Sequence, residues 1–206
     1  MSLGSVAFHR AHTGGWTRRY RDPMAEQPDD PEWLIGGREA RPVVIVDYDP
    51  AWPERFEAQR ARIAAALHDV ERIEHIGSTS VPGLPAKPII DIVLVPVGLI
   101  DHAVAPLEAA GYQLRVREPG HRMLRTPNRD VHVHLWEERS EVHRHLLFRD
   151  YLREHPDDCD LYAAAKRDLA TREWGDMNDY ADAKSPAITD ITGRADAWAD
   201  ATGWSA

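Results

Sequence analysis

Residues 89–97 read IIDIVLVPV, an apolar run interrupted by one acid. Side chains along a strand alternate between faces, so apolar residues at successive positions load both faces. Such a strand belongs inside a sheet that is covered on both sides. Other strands must flank it, and helices must pack above and below. Asp91 is the exception in the run, and a charge on a central strand needs a partner or a ligand.

The rest of the chain supplies those elements. VVIVDY (43–48) is β-branched and reads as a strand. Asp49-Pro50 marks a turn, and Pro53 suits the first turn of a helix. Trp52, Phe56, Ile63 and Leu67 recur at helical spacing, which predicts a helix over about 51–68. ERIEHI (71–76) reads as a strand, and 100–110 as a helix ended by Gly111. YQLRVRE (112–118) and HRMLRT (121–126) read as strands joined by Pro119-Gly120. VHVHLW (131–136) alternates strictly: Val131, Val133 and Leu135 on one face, His132, His134 and Trp136 on the other. Beyond it the chain is helical, over about 140–155, 158–174, 177–184 and 186–201, with Ser140 and Ser185 as N-caps. The predicted class is α+β, a mixed sheet with flanking helices and a helical C-terminal part.

One domain is expected over 42–206, its sheet core at about 42–136 and its helical part at about 140–201. Residues 1–41 are rich in Gly, Pro, Arg and Asp without a sustained period, which predicts a flexible N-terminal arm. Trp16, Tyr20 and Trp33 could pin that arm to the body or, in a homodimer, to a partner chain.

Composition limits the ligand. The formal net charge is -9, which argues against long nucleic acid and for a small ligand, a phosphate-containing molecule on the residues that follow. No apolar run approaches the roughly 20 residues needed to cross a bilayer. MSLGSVAFHRAHTGGW lacks the apolar core of a signal peptide, so the expected location is cytoplasmic. The one cysteine, Cys159, sits among Asp157, Asp158 and Asp160; a raised thiol pKa is expected, which argues against a nucleophile.

The segment before the apolar strand, HIGSTSVPGLPAKP (75–88), has the parts of a phosphate cradle. Gly77 permits close approach of a ligand to the backbone. Ser78, Thr79 and Ser80 bring hydroxyls and backbone N–H groups suited to phosphate oxygens. Lys87 adds positive charge, and Asp91 follows on the strand. Phosphoryl or nucleotidyl transfer asks the protein mainly for positioning and for charge on the phosphate oxygens, usually from Mg²⁺. The bland alternative is a Ser/Pro-rich surface loop with a capping acid. His75 could do no more than support that loop.

GSTSVPGLPAKPIIDIVLV, with Trp52-Pro53 before it and HVH and FRDYLR after it, resembles the GrpB family over roughly residues 43–200. That family also occurs fused to dephospho-CoA kinase. The resemblance implies a nucleotidyltransferase fold and an NTP substrate. Gly77 and Ser78 then match the superfamily's Gly-Ser pair, and Asp91 its first acid. The second acid falls at Val93, and the third on the strand bearing His132 and His134. The implied centre is one carboxylate and two imidazoles, with all three residues as catalytic and metal-binding candidates. Mg²⁺ prefers oxygen ligands, whereas Mn²⁺ or Zn²⁺ accept imidazole. A neutral His could instead act as a base, or the His pair could be a half-exposed polar face.

Further phosphate- or nucleotide-binding candidates lie in the helical part. Arg149 could reach a phosphate or pair with a nearby acid such as Asp150 or Glu154. Tyr162 and Lys166, then Tyr180 and Lys184, repeat a Tyr-x-x-x-Lys spacing that puts both side chains on one helix face. Tyr180 could stack on a base and Lys184 hold a phosphate; a snorkelling lysine is the alternative. Arg122 or Arg125 could line the cleft, and His143 and His145 read as surface or interface residues. Three functions remain open: a metal-assisted nucleotidyl- or phosphoryltransferase acting on a small acceptor, a catalytically reduced binding module, and a different metal-dependent enzyme.

Overall fold

The computed structural model describes residues 32–206. Trp16 and Tyr20, expected to pin the arm, lie outside the described residues.

Among the described residues the sheet has five strands: β1 (Val70–Ile76), β2 (Ile90–Pro96), β3 (Gln113–Glu118), β4 (His121–Arg125) and β5 (Val131–Trp136). Their order is β1-β2-β5-β4-β3. The apolar run at 90–96 is therefore an interior strand, paired antiparallel to β1 and parallel to β5. The other neighbours pair antiparallel, so the sheet is mixed. With the helices below, this is the α+β architecture expected from the sequence.

Helices α1 (Trp52–Ala66) and α2 (Ile100–Ala109) cover one face. Trp52, Ile63 and Leu107 pack there against Ile90, Ile92, Leu94, Val133 and Leu135. The opposite face carries Ile76, Val93 and Val95, covered by Val142 and Leu146 of α3 (Arg139–Glu154). Helices α4 (Pro156–Ala170) and α6 (Ser185–Thr202) build a second apolar cluster with Val81, Leu84, Leu147 and Leu152, while α5 (Met177–Ala183) packs through Tyr180 against Leu169 and Val43.

Three local expectations are corrected. VVIVDY is not a strand of the sheet; it makes a single bridge, Val46 to Ala86. Val43 and Ile45 instead pack with Leu169, Tyr180 and Trp174, so the segment ties the sheet to the C-terminal helices. Ser140 is not an N-cap: α3 starts one residue earlier, after Glu138, and the serine hydroxyl donates to the Glu138 carboxylate. Ser185 is the first residue of α6, which follows so closely on α5 that Lys184 occupies the cap position of both.

Residues 33–39 lie along the exposed edge of β3. Ile35 N donates to Arg115 O and Arg117 N to Trp33 O, each at 2.9 Å. The segment then reaches α5, where Glu39 N donates to the Asp176 carboxylate at 2.9 Å and Met177 N to Glu39 O at 3.1 Å. An edge covered in this way offers no unpaired backbone to a foreign strand there.

Candidate metal and phosphate site

The β1–β2 register pairs Ile76 with Asp91, which sets Gly77 immediately above the acid. Gly77 has φ +70°, and a Cβ on it would lie 2.6 Å from Asp91 Oδ2. Only glycine allows both this backbone turn and this approach. The chain then forms one 3-10 turn, Ser78–Ser80.

Parallel pairing of β2 with β5 sets Asp91 beside His132 and Val93 beside His134. His132 Nδ1 lies 3.2 Å from Asp91 Oδ1, and His134 Nε2 3.9 Å from the same atom. One potential ligand atom from each residue falls within 4.8 Å of the others. Two donors at about 2.1 Å from a single ion sit at most about 4.2 Å apart, so a small inward movement would close the set on one cation. The donor chemistry, two imidazoles and one carboxylate with open positions, suits Zn²⁺, Mn²⁺ or Fe²⁺ better than Mg²⁺. Burial opposes ionisation of Asp91, but hydrogen bonds with His132 and His134 hold its carboxyl well below the usual range.

Val93, where the resemblance would put a second acid, is 0% exposed beneath Val142 and Leu146. A carboxylate there would face the hydrophobic layer under α3.

Three lysines gather on the other side of the acid. Lys166 is 2% exposed; its Nζ donates to Ser78 Oγ at 2.9 Å and to Pro85 O at 2.5 Å. It also lies 4.6 Å from the centre of the Tyr162 ring. Lys87 and Lys184 each place Nζ 5.0 Å from the centre of the Tyr180 ring. Burial pushes Lys166 down to about 7 and Lys87 down to about 8, and the neighbouring Lys184 adds to both shifts. Burial lowers Lys184 too, while Asp91 and Asp182 oppose it. These groups share one recess with Ser78, Thr79, Asp91 and Tyr180.

The structure thus brings together Gly77, Ser78, Lys87, Asp91, His132, His134, Tyr180 and Lys184. It adds Lys166, whose spacing from Tyr162 was visible but carried no assigned role. Tyr180 is 1% exposed and flanked by two lysines, so its ring is a wall of the recess rather than an open platform for a base. Thr79 and Ser80 use their hydroxyls inside the loop: Thr79 Oγ1 donates to Ile89 O at 3.0 Å, and Ser80 Oγ to Gly77 O at 2.6 Å. His75 supports the turn, its Nε2 2.9 Å from Thr79 Oγ1, while burial pushes its pKa down to about 4.

Arg149 lies apart from the recess, paired with Asp150 and Glu74 and bonded to His75 O. It lines a separate cleft of about 430 Å³ with Tyr48, Phe56 and Arg153. Arg122 pairs with Asp101 on the α2 side, and Arg125 makes a two-pronged pair with Glu39. His145 is half-buried: its ring packs 6.4 Å from that of His134 and 6.1 Å from that of Trp136, and burial pushes its pKa down to about 3. His143 is exposed and meets Trp204 edge-on. The Cys159 thiol is raised, first by burial and then by Asp160, against the opposing charge of Lys166.

Comparison with known proteins gives a consistent result. The profile described as GrpB protein matches residues 42–194. A UPF0157 protein of Streptomyces coelicolor is 53% identical over 167 residues, 80% of this chain and 90% of that one. The dephospho-CoA kinase of Mycolicibacterium paratuberculosis is 33% identical over 199 residues, covering 79% of this chain but 48% of the kinase. The crystal structure of conserved protein GrpB from Enterococcus faecalis superposes with a TM-score of 0.67 at 35% identity, covering 74% of this chain and 96% of that one.

Proposed function

The chain belongs to the GrpB family, and from that premise we propose that it is a divergent nucleotidyltransferase, moving a nucleotidyl or phosphoryl group from an NTP to a small acceptor. One observation carries the reading: a lysine-rich recess beside Ser78 shares Asp91 with an Asp/His/His donor set.

Asp91, His132 and His134 would hold a divalent ion, which when bound supplies positive charge to phosphate oxygens. The chain's own residues position the rest. Lys166, already bonded to Ser78 Oγ, fixes the hydroxyl and offers charge to the non-reacting phosphates. Lys87 and Lys184, each 5.0 Å from the centre of the Tyr180 ring, offer further charge to the phosphates. Gly77 lets a phosphate approach the backbone next to Asp91. In a half-buried recess these charges act through a lower effective dielectric than at the surface, so they bind polyphosphate more strongly than exposed lysines would.

The test is pyrophosphate release from the four common NTPs with Mg²⁺ or Mn²⁺ and a panel of small acceptors. Release is expected from the wild type and absent in Asp91→Asn. No release with either metal across the panel overturns the reading.

Val93 supports a second reading, a module that retains the polyphosphate pocket without turnover. Stabilisation of the wild type by nucleotide, with no pyrophosphate produced, would select it.

A further inference from the structure

The three residues that would hold the ion do not end the polar chain. His134 Nδ1, on the ring edge away from Asp91, lies 3.2 Å from His121 Nε2. The two rings are nearly parallel, at 4°. His121 Nδ1 in turn lies 3.0 Å from Glu118 Oε2. His121 is 5% exposed and stacks on Trp136 with ring centres 3.7 Å apart and 9° between planes. Glu118 and His121 face each other across the β3–β4 hairpin, and His121 pairs in register with Trp136 on β5. The hairpin thus drives a carboxylate and an imidazole into the back of His134.

We propose that Glu118 and His121 are positioning residues that fix the ring orientation and tautomer of His134, so that its Nε2 lone pair faces the Asp91–His132 site. The proposal rests on the reading of Asp91, His132 and His134 as a metal site.

The hydrogen-bond pattern allows one assignment in which every neutral ring is satisfied. An imidazole that ligates through Nε2 carries its proton on Nδ1. That proton is donated to His121 Nε2. His121 then carries its own proton on Nδ1 and donates it to the Glu118 carboxylate. Each bond has one donor and one acceptor, and the terminal acceptor is ionised, which strengthens the last bond. The opposite arrangement, with His134 protonated at Nε2, turns a lone pair of neutral His121 towards Glu118 and a proton towards the ion. Stacking on Trp136 stops His121 from swinging out of the chain. His132 has a different environment: its Nδ1 is turned to Asp91, so the two imidazoles would present different nitrogens to a shared ion.

The test titrates the full-length protein with Co(II), whose visible absorption reports ligand number and geometry. Wild type is expected to bind Co(II) at a site lost in Asp91→Asn. His121→Phe keeps the stack on Trp136 but removes both hydrogen bonds, and is expected to raise the Co(II) Kd by roughly ten- to a hundredfold with an altered band shape. His121→Gln keeps an amide acceptor and should recover part of that loss. Glu118→Gln, a near-isosteric change on the hairpin, should weaken binding by a smaller factor, while the exposed Glu137→Gln should leave it unchanged. Wild-type Kd and spectrum in both His121→Phe and Glu118→Gln overturn the positioning role alone. Absence in the wild type of any Co(II) site that Asp91→Asn removes overturns the metal reading as well.

Discussion

At the residue scale, the lysines decide how the recess responds to pH. Lys166 at about 7 and Lys87 at about 8 both fall below the ordinary value of 10.5. A lysine whose folded pKa is lowered destabilises the fold while it is charged. Between the folded value and 10.5 the unfolded chain binds the extra proton, so this contribution to stability rises with pH across that window. An anion reverses the preference by making the charged lysine favourable. Triphosphate should therefore take up protons on binding above about pH 7. Its affinity is expected to fall by roughly tenfold or more between pH 7 and 9. Calorimetry in buffers of different ionisation enthalpy reads both quantities, and Lys166→Met should flatten the pH dependence. An affinity independent of pH over this range would remove the lysines from the site.

At the element scale, the segment at 33–39 and helix α5 act together. Glu39 sits in a cage of guanidinium groups from Arg41, Arg115, Arg125 and Arg129. The Arg125 hydrogen bond leads in lowering its pKa to about 2, against the opposing effect of burial. Its backbone meanwhile bonds to both Asp176 and Met177 at the start of α5. Asp176 also caps that helix, accepting from Asn178 N at 2.6 Å. Because α5 carries Tyr180 and leads into Lys184, the segment braces one wall of the recess from the far edge of the sheet. Glu39→Gln should cost on the order of 2 kcal/mol in urea unfolding at pH 7. A lowered carboxylate pKa stabilises above the unfolded value of 4.5, and this is lost as pH falls towards 2. The difference between wild type and Glu39→Gln should accordingly shrink at pH 3. A constant difference at both pH values would assign the effect to packing rather than charge.

The scale of the whole molecule explains why position 93 is apolar. Val93 belongs to the layer between the sheet and α3, whereas Asp91, His132 and His134 are only half-buried on the same face of the sheet. Placing an acid there with Val93→Asp should not improve activity. It should instead destabilise the fold by on the order of 3–5 kcal/mol, the cost of an uncompensated buried charge. A thermal melt checks this, and an unchanged midpoint would mean the layer is more open than its packing indicates.

Much of this was readable in the chain. Period-two alternation at 131–136 put His132 and His134 on one face, and the apolar run at 90–96 made its strand interior, because both properties depend only on near neighbours. Helix positions followed within a few residues for the same reason. VVIVDY shows the limit: β-branched residues make an extended segment, but whether it finds a partner strand depends on where the rest of the fold lies. The parallel pairing of Asp91 with His132, the reach of Lys166 to a serine 88 residues away, and the capture of Glu39 by arginines from the sheet were fixed only in three dimensions. Local geometry follows from short-range sterics and propensity, whereas these contacts depend on which faces pack together, and that is a property of the assembled layers.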